Sequence, residues 1–125
     1  MSEIAKNCAR AFITAFNAQD HEALADTLNY PHLRLANGRF AQVETREDFV
    51  AISKSVEPKL REEGWHHTTV ESMDVVHEGD DKVHLAIRNH RCRNDDSIYN
   101  TFDTLWIVTK ENDHWGIQFR SSYLR

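Results

Sequence analysis

The sequence predicts an α+β fold, with helices in the first half of the chain and antiparallel strands in the second. Apolar residues recur at helical spacing in the first half, and the period changes to two from Trp65 onward. Asn112 and Asp113 separate two β-rich runs near the C-terminus, which indicates a tight hairpin turn. Because helical and extended segments are segregated along the chain, we expect helices packed on one face of a sheet.

Two helices are predicted at the start of the chain. Ser2 can cap the first, whose apolar stripe comprises Ile4, Cys8, Phe12 and Phe16. Asp20 can cap a short second helix. We expect this helix to end at Tyr30, because a residue that precedes a proline disfavours the helical conformation.

A hairpin is predicted after the second helix. Residues 32–40 alternate between apolar and polar side chains, and a turn is expected at Asn37 and Gly38. The chain would then return as a strand through residues 40–43.

A third helix is predicted to begin at Thr45. Thr45 and Asp48 have the spacing of a capping box, and an apolar stripe follows them. Pro58 removes a backbone donor, so we expect a kink or an end near Glu57. Gly64 is a candidate for the final C-cap.

The remaining chain reads as strands whose register follows from their apolar faces. A turn centred on residues 112–113 predicts four cross-strand pairs in the last hairpin: Val108 with Ile117, Trp106 with Phe119, Thr104 with Ser121 and Phe102 with Tyr123. A turn at residues 94–97 predicts a second set of pairs: Leu85 with Trp106, Ile87 with Thr104 and Asn89 with Phe102. The same register places Arg88 beside Asp103 on the opposite face, and a slip of one residue would turn Asp103 toward the core.

Composition limits the class of protein. A chain of 125 residues with 40% hydrophobic residues suits a single domain, residues 1–125, with its own core. The 15 basic and 20 acidic residues give a net charge of −5, which disfavours a nucleic-acid surface. Cys8 and Cys92 are far apart, so we expect free, partly buried thiols. No long apolar run suggests a membrane segment, and we expect a soluble, cytoplasmic protein.

The order of elements resembles the NTF2-like superfamily, in particular its SnoaL-like branch. The resemblance rests on the ending TLWIVTKENDHWGIQFRSSYL and the opening AFITAFNAQDHEALADTLNYP, and it covers nearly the whole chain. It implies a strongly curved antiparallel sheet wrapped around the N-terminal helices, a cone-shaped pocket and a dimer through the convex face. The catalytic residues of ketosteroid isomerases, which share this fold, do not carry over. The first helix has Phe12 and Phe16 but no tyrosine, and the segment NYPHLRLANGRF has no acid.

The polar end of the predicted inner face is the candidate site for a small hydrophobic ligand. The expected ligand-binding residues are Tyr30, Trp65, Asn89, Phe102, Thr104, Ser121 and Tyr123. His32 and His67 are candidates for a general acid or base, because imidazole titrates near neutral pH. Arg91 is a candidate for binding an anion or stabilising developing negative charge. Each of the two histidines could instead bond a backbone group or face solvent, and Arg91 could be a solvated residue near a hairpin tip.

Other chemistries receive no support from the sequence. The eight histidines lack the spacing of a metal site, and no phosphate-binding glycine loop or nucleophile elbow occurs, so no cofactor or metal is expected.

The outer sheet face carries Leu105, Ile107 and Ala86, which predicts burial in a homodimer. Two hypotheses remain open. One is a cofactor-free enzyme for proton transfer, cyclisation, dehydration or isomerisation, and the other is a noncatalytic dimeric binding module.

Overall fold

The computed structural model describes residues 1–124 and has the predicted α+β architecture. Its elements are α1 (Ser2–Ala18), α2 (His21–Asp26), β1 (Leu28–Ala36), β2 (Arg39–Val43), α3 (Arg46–Glu63), β3 (His67–Glu78), β4 (Lys82–Cys92), β5 (Ile98–Glu111) and β6 (His114–Ser122). The six strands form one sheet in the order β2-β1-β6-β5-β4-β3. All neighbours are antiparallel except β1 and β6, which are parallel.

Local signals in the sequence place several boundaries correctly. The Asp20 carboxylate accepts from the backbone N–H of Ala23, and the Thr45 hydroxyl accepts from that of Asp48, both at 3.1 Å. Gly64 ends α3 with a φ of 93°. The hairpin turns at residues 37–38 and 112–113 have positive φ at both central positions, as tight two-residue turns require.

Two predicted helix boundaries are wrong, and of the kink or end expected at Pro58 the end does not occur. Met1 rather than Ser2 is the N-cap of α1. Helix α2 ends at Asp26, because β1 already begins at Leu28 and contains the cis Tyr30–Pro31 bond. Helix α3 continues through Pro58 to Glu63. Pro58 lies on the exposed side, where water can satisfy the carbonyl that lacks a helical donor.

The register between β4 and β5 is confirmed. Leu85 lies opposite Trp106, Ile87 opposite Thr104 and Asn89 opposite Phe102. The predicted register between β5 and β6 is right only near the turn. Val108 faces Ile117, but one extra residue, Gln118, shifts the pairing, and Arg120 then lies opposite Trp106. The other three predicted pairs in this hairpin are therefore wrong.

A second register shift occurs in β3 between Val70 and Ser72. Met73 packs against the core beside Ile87 of β4. Because Glu71 is the extra residue, the inward positions toward the start of β3 are Val70 and Thr68.

The core lies between α1 and the inner face of the sheet. Ala5 and Ala9 are fully buried and let α1 approach the strands closely, while Phe12 packs edge-on against Trp106 with ring centroids 4.8 Å apart. The sheet contributes buried residues from its central strands, including Leu85 and Ile117. No helix within residues 1–124 has the length and apolar character needed to cross a membrane.

Candidate functional site

Two adjoining cavities open at one end of this core. The larger has a volume of about 180 Å³ and the smaller about 50 Å³. Most of the larger cavity is apolar, and its apolar lining comprises Phe12, Phe16, Leu24, Ala41, Val43, Phe49, Ile52, Val56 and Leu60. Both cavities are also lined by Arg34, Arg91 and Arg120, so the three guanidinium groups lie where the cavities meet.

Strand pairing brings two of these arginines together. Arg34 of β1 and Arg120 of β6 are register partners on adjacent strands, where neighbouring strands run about 5 Å apart. The extra residue Gln118 turns Arg120 inward, and the Gln118 side chain is held by hydrogen bonds to Thr109 and to the backbone of Pro31. The predicted pairing of Trp106 with Phe119 would instead place Arg120 on the outer face.

His32 holds Arg120 in place. The His32 side chain is buried, with 1% exposure, and its Nδ1–H donates to the carbonyl of Ile117 at 2.9 Å. Its Nε2 then accepts from the Nε–H of Arg120 at 3.1 Å. Burial, assisted by the charges of Arg120 and Arg34, lowers the pKa of His32 to about 3. His32 is therefore neutral at physiological pH and orients Arg120 without neutralising it.

Arg91 has a carboxylate partner outside the cavities. Its Nη1 lies 2.9 Å from Oε2 of Glu63, which also accepts a hydrogen bond from the Tyr99 hydroxyl. The guanidinium carbon lies 5.9 Å from the ring centroid of Phe102. The Arg91 charge is thus partly compensated at the rim.

The positive charges of the other two arginines, Arg34 and Arg120, have no acidic partner within residues 1–124. Within residues 1–124, Arg34 makes no hydrogen bond or ion pair, and the only hydrogen bond of Arg120 is the one to neutral His32. Desolvation, followed by repulsion from the other arginines, lowers the pKa of both groups. No Asp or Glu of the described chain lines either cavity. The site therefore carries an excess of partly buried positive charge.

Asn89 of β4 and Thr104 of β5 are two polar residues that line the smaller cavity. Asn89 is 3% exposed, and its Oδ1 has no hydrogen-bond partner among residues 1–124. Thr104 accepts from the indole N–H of Trp106 and donates to the carbonyl of Ser121, both at 3.0 Å. Thr104 is therefore engaged within the protein, whereas Asn89 retains an acceptor for a ligand.

Five of the predicted site residues line one or both cavities. His32 lines the larger cavity. Arg91 lines both cavities, and Asn89, Phe102 and Thr104 line the smaller one. Their binding roles stay predictions.

His67 and Trp65 lie outside both cavities, so their expected placement is wrong. The register shift at Glu71 turns Thr68 inward and His67 outward, where its Nε2 lies 3.4 Å from the Asp96 carboxylate. Trp65 is buried against Phe16, and its indole N–H donates to the Thr68 hydroxyl at 2.9 Å.

The expected placement of Tyr30, Ser121 and Tyr123 is also wrong. The Tyr30 hydroxyl donates to the carbonyl of Ala25 at 2.9 Å, which ties β1 to α2. The shift at Gln118 moves Ser121 to the outer face. Tyr123 follows the end of β6 and is 73% exposed.

Asp103 faces away from the cavities. Its Oδ1 accepts from Nε of Arg88 at 2.8 Å, and this contact lowers the pKa of the carboxyl. The register predicted from the turn at residues 94–97 thus gave the right orientation of Asp103, which is not positioned to act inside the cavity.

A hydrogen-bonded chain of three residues borders the larger cavity. The Ser53 hydroxyl, which lines the cavity, lies 2.7 Å from Nδ1 of His21, and the other ring nitrogen lies 2.9 Å from Oε1 of Glu57. The chain joins α2 to α3, and His21 lowers the pKa of Glu57. No local sequence motif indicates this arrangement.

Metal ligation has no geometric support in the described part of the chain. No group of three or more His, Cys, Asp or Glu side chains within residues 1–124 is placed to hold an ion. Cys8 and Cys92 are free thiols.

Comparison with known proteins identifies the fold family. The model of the family described as NTF2-like protein (DUF6841) matches residues 2–120. No curated protein matches the chain significantly.

Among solved structures, an NTF-2 like protein of unknown function from Shewanella oneidensis superposes with a TM-score of 0.77 at 17% identity, over 98% of this chain and 99% of that one. An NTF2-like protein with a cystatin-like fold from Novosphingobium aromaticivorans gives 0.73 at 19% identity, over 98% and 80%. A ketosteroid isomerase-like protein from Erwinia carotovora atroseptica gives 0.73 at 16% identity, over 97% and 93%. At these identities the likeness concerns the fold alone. The match over residues 2–120 shows that the chain belongs to the family of NTF2-like proteins (DUF6841).

Proposed function

We propose that this protein binds a small, largely apolar molecule in the cavity between α1, α3 and the inner face of the sheet. The observation that carries the proposal is the 180 Å³ cavity with its wall of aromatic and aliphatic side chains. An apolar cavity of about 150 Å³ can hold one benzene molecule. A ligand of about one ring matches this space.

Binding without catalysis is the role that the cavity chemistry favours. Of the two histidines expected as acid or base, His67 lies outside the cavity, and both nitrogens of His32 are engaged within the protein. Because the His32 pKa is about 3, the ring is neutral near pH 7, and its one N–H is held by the Ile117 carbonyl. His32 thus acts on Arg120 and not on a ligand.

Filling the cavity tests the proposal. Val56 lines the cavity from α3, and Val56→Trp should block it, whereas Lys59→Trp on the exposed side of the same helix should not. Ligand-observed NMR with a set of single-ring compounds should detect binding to the wild type and to Lys59→Trp. Equal binding by Val56→Trp would place the ligand elsewhere, and no binding by the wild type would reject the proposal.

A second candidate function is ester hydrolysis, and the Ser53–His21–Glu57 chain favours it. Ser53 Oγ would attack the ester carbonyl while its proton passes to Nδ1 of His21, with Nε2–H donating to Glu57. The proton would then leave with the alcohol, and water would release the acid from acyl-Ser53. Hydrolysis of 4-nitrophenyl acetate lost in Ser53→Ala but kept in Ser55→Ala would support this function. Equal rates in both variants would reject it.

The proposed assembly is a homodimer through the outer face of the sheet. Leu105 and Ile107 lie on this face only partly buried, and the shift at Gln118 adds Phe119 to them. A second copy covering this face would remove the apolar surface from water.

A further inference from the structure

We infer that the ligand of the cavity is an anion, namely the carboxylate of a small apolar acid, with Arg34 and Arg120 as its anchors. This inference rests on the proposed binding function and adds the chemical class of the ligand. It follows from the charge balance of the site and from the atoms that are left without partners.

The first step is the charge balance. Three guanidinium groups line the junction of the two cavities, and Glu63, which pairs with Arg91, is the one carboxylate in contact with any of them among residues 1–124. Buried charges in proteins are normally paired. Arg34 and Arg120 are partly buried and have no acidic partner within residues 1–124, and departures of this kind concentrate at functional sites.

The second step is the orientation of Arg120. Its Nε is fixed by His32, and its guanidinium carbon lies 4.9 Å from the ring centroid of Phe12. A guanidinium carries five N–H groups, so four remain for a ligand. An acidic residue in place of His32 would neutralise the charge of Arg120. A neutral imidazole leaves the positive charge available.

The third step is the neighbourhood of Arg34. Arg34 lies beside Arg120 on the adjacent strand and makes no hydrogen bond within residues 1–124. Two neighbouring guanidinium groups repel one another unless an anion lies between them. A carboxylate can accept hydrogen bonds at both oxygens, which suits two donors on adjacent strands.

The fourth step is the apolar wall. Phe12 and Phe16 line both cavities, and Phe49, Val56 and Leu60 extend the apolar surface in the larger one. A hydrated inorganic anion would leave this surface without a partner. An acid with one ring or a short branched chain fills it and places its carboxylate at the arginines.

Binding measurements with an acid and its neutral analogue test the inference. Benzoate and benzamide have nearly the same shape and differ in charge. Ligand-observed NMR and calorimetry should show that benzoate binds the wild type roughly tenfold or more tightly than benzamide. Arg34→Gln and Arg120→Gln should each remove most of this preference. Arg39→Gln, an exposed arginine on β2, should keep it.

The outcomes separate the inference from the proposed function. Equal binding of benzoate and benzamide that Val56→Trp abolishes would overturn the anion class and keep the apolar cavity as the site. Binding of inorganic phosphate with no gain from the ring would overturn the apolar acid. Binding of neither compound would overturn both proposals. Because Arg120→Gln can disturb folding, its thermal unfolding is measured alongside. Arg34→Gln and competition by chloride in the wild type test the anion site independently: both should weaken benzoate binding, and unchanged binding in both would overturn the anion class.

Discussion

The Nε–H of Arg120 donates to Nε2 of His32 over 3.1 Å, and this contact joins two strands that are parallel neighbours in the sheet. His32 in turn donates to the carbonyl of Ile117 on the same strand as Arg120. The imidazole thus spans β1 and β6 and sets the direction of a charged side chain. Under the proposed function, this one residue affects both stability and ligand recognition.

His32 should make the protein sensitive to mild acid. Its pKa is about 3 in the folded chain and about 6.5 when unfolded, so the unfolded state binds more protons between these values. The stabilisation is complete above about pH 6.5 and is lost as the pH falls toward 3. Near pH 4.5 the loss from this residue should be about 2–3 kcal/mol in the free energy of unfolding.

Urea unfolding at several pH values measures this effect. His32→Gln keeps a donor and an acceptor but does not titrate, and its stability should fall less steeply below pH 6.5. The exposed His66→Gln serves as the matched control and should follow the wild type. Parallel slopes in all three proteins would contradict the assigned role of His32.

Gly116 should tolerate no side chain. A Cβ at this position would lie 2.6 Å from the backbone carbon of Leu28 and 2.8 Å from the backbone nitrogen of Asn29. Gly116→Ala must therefore push β1 away from β6, at a cost of about 2 kcal/mol or more in the free energy of unfolding. Gly79→Ala, whose nearest contact is 3.3 Å, should cost less. Thermal unfolding compares the two, and equal melting temperatures would contradict the close strand contact.

Asp103→Asn should leave ligand binding unchanged. Asp103 forms an exposed pair with Arg88 on the outer face, and exposed pairs contribute little to stability. The melting temperature should stay close to that of the wild type. A variant that folds normally but loses binding of the cavity ligand would show that Asp103 acts on the site.

Leu105→Glu should produce a monomer if the outer face is a dimer interface. A charge at this position would be buried without a partner in the dimer, which is strongly unfavourable. Phe40→Glu alters an exposed residue on β2, at the edge of the sheet, and should leave the assembly unchanged. Light scattering gives the molar mass of each variant. A monomeric wild type in dilute solution would reject the dimer.

The α+β architecture could be predicted because all helical periods lie before Trp65, with one hairpin among them, and only extended periods follow it. The pairing of Leu85 with Trp106 also followed, since only that register aligns the apolar faces of three strands. The extra residues Glu71 and Gln118, among other register shifts, escaped prediction, because a single added residue changes the face of everything beyond it and leaves no local signature.

These two shifts explain most of the errors at the site. Because of the extra residue Gln118, Arg120 faces inward where Ser121 was predicted to. Because of Glu71, Thr68 faces inward in place of His67. Arg34 could have been found, because it lies two residues after His32 on the same strand and shares its face. The Ser53–His21 contact could not, because it depends on how α2 packs against α3.

The neutral imidazole beneath Arg120 also bears on how this family can diversify. A histidine codon becomes an aspartate codon through a single nucleotide change, and a carboxylate at position 32 would offer Arg120 an internal counterion. The same strands and cavity would then enclose a closed ion pair in place of an open cationic site. If the proposed acid-binding function holds, a receptor for acids and a receptor for neutral molecules lie one mutational step apart in this fold.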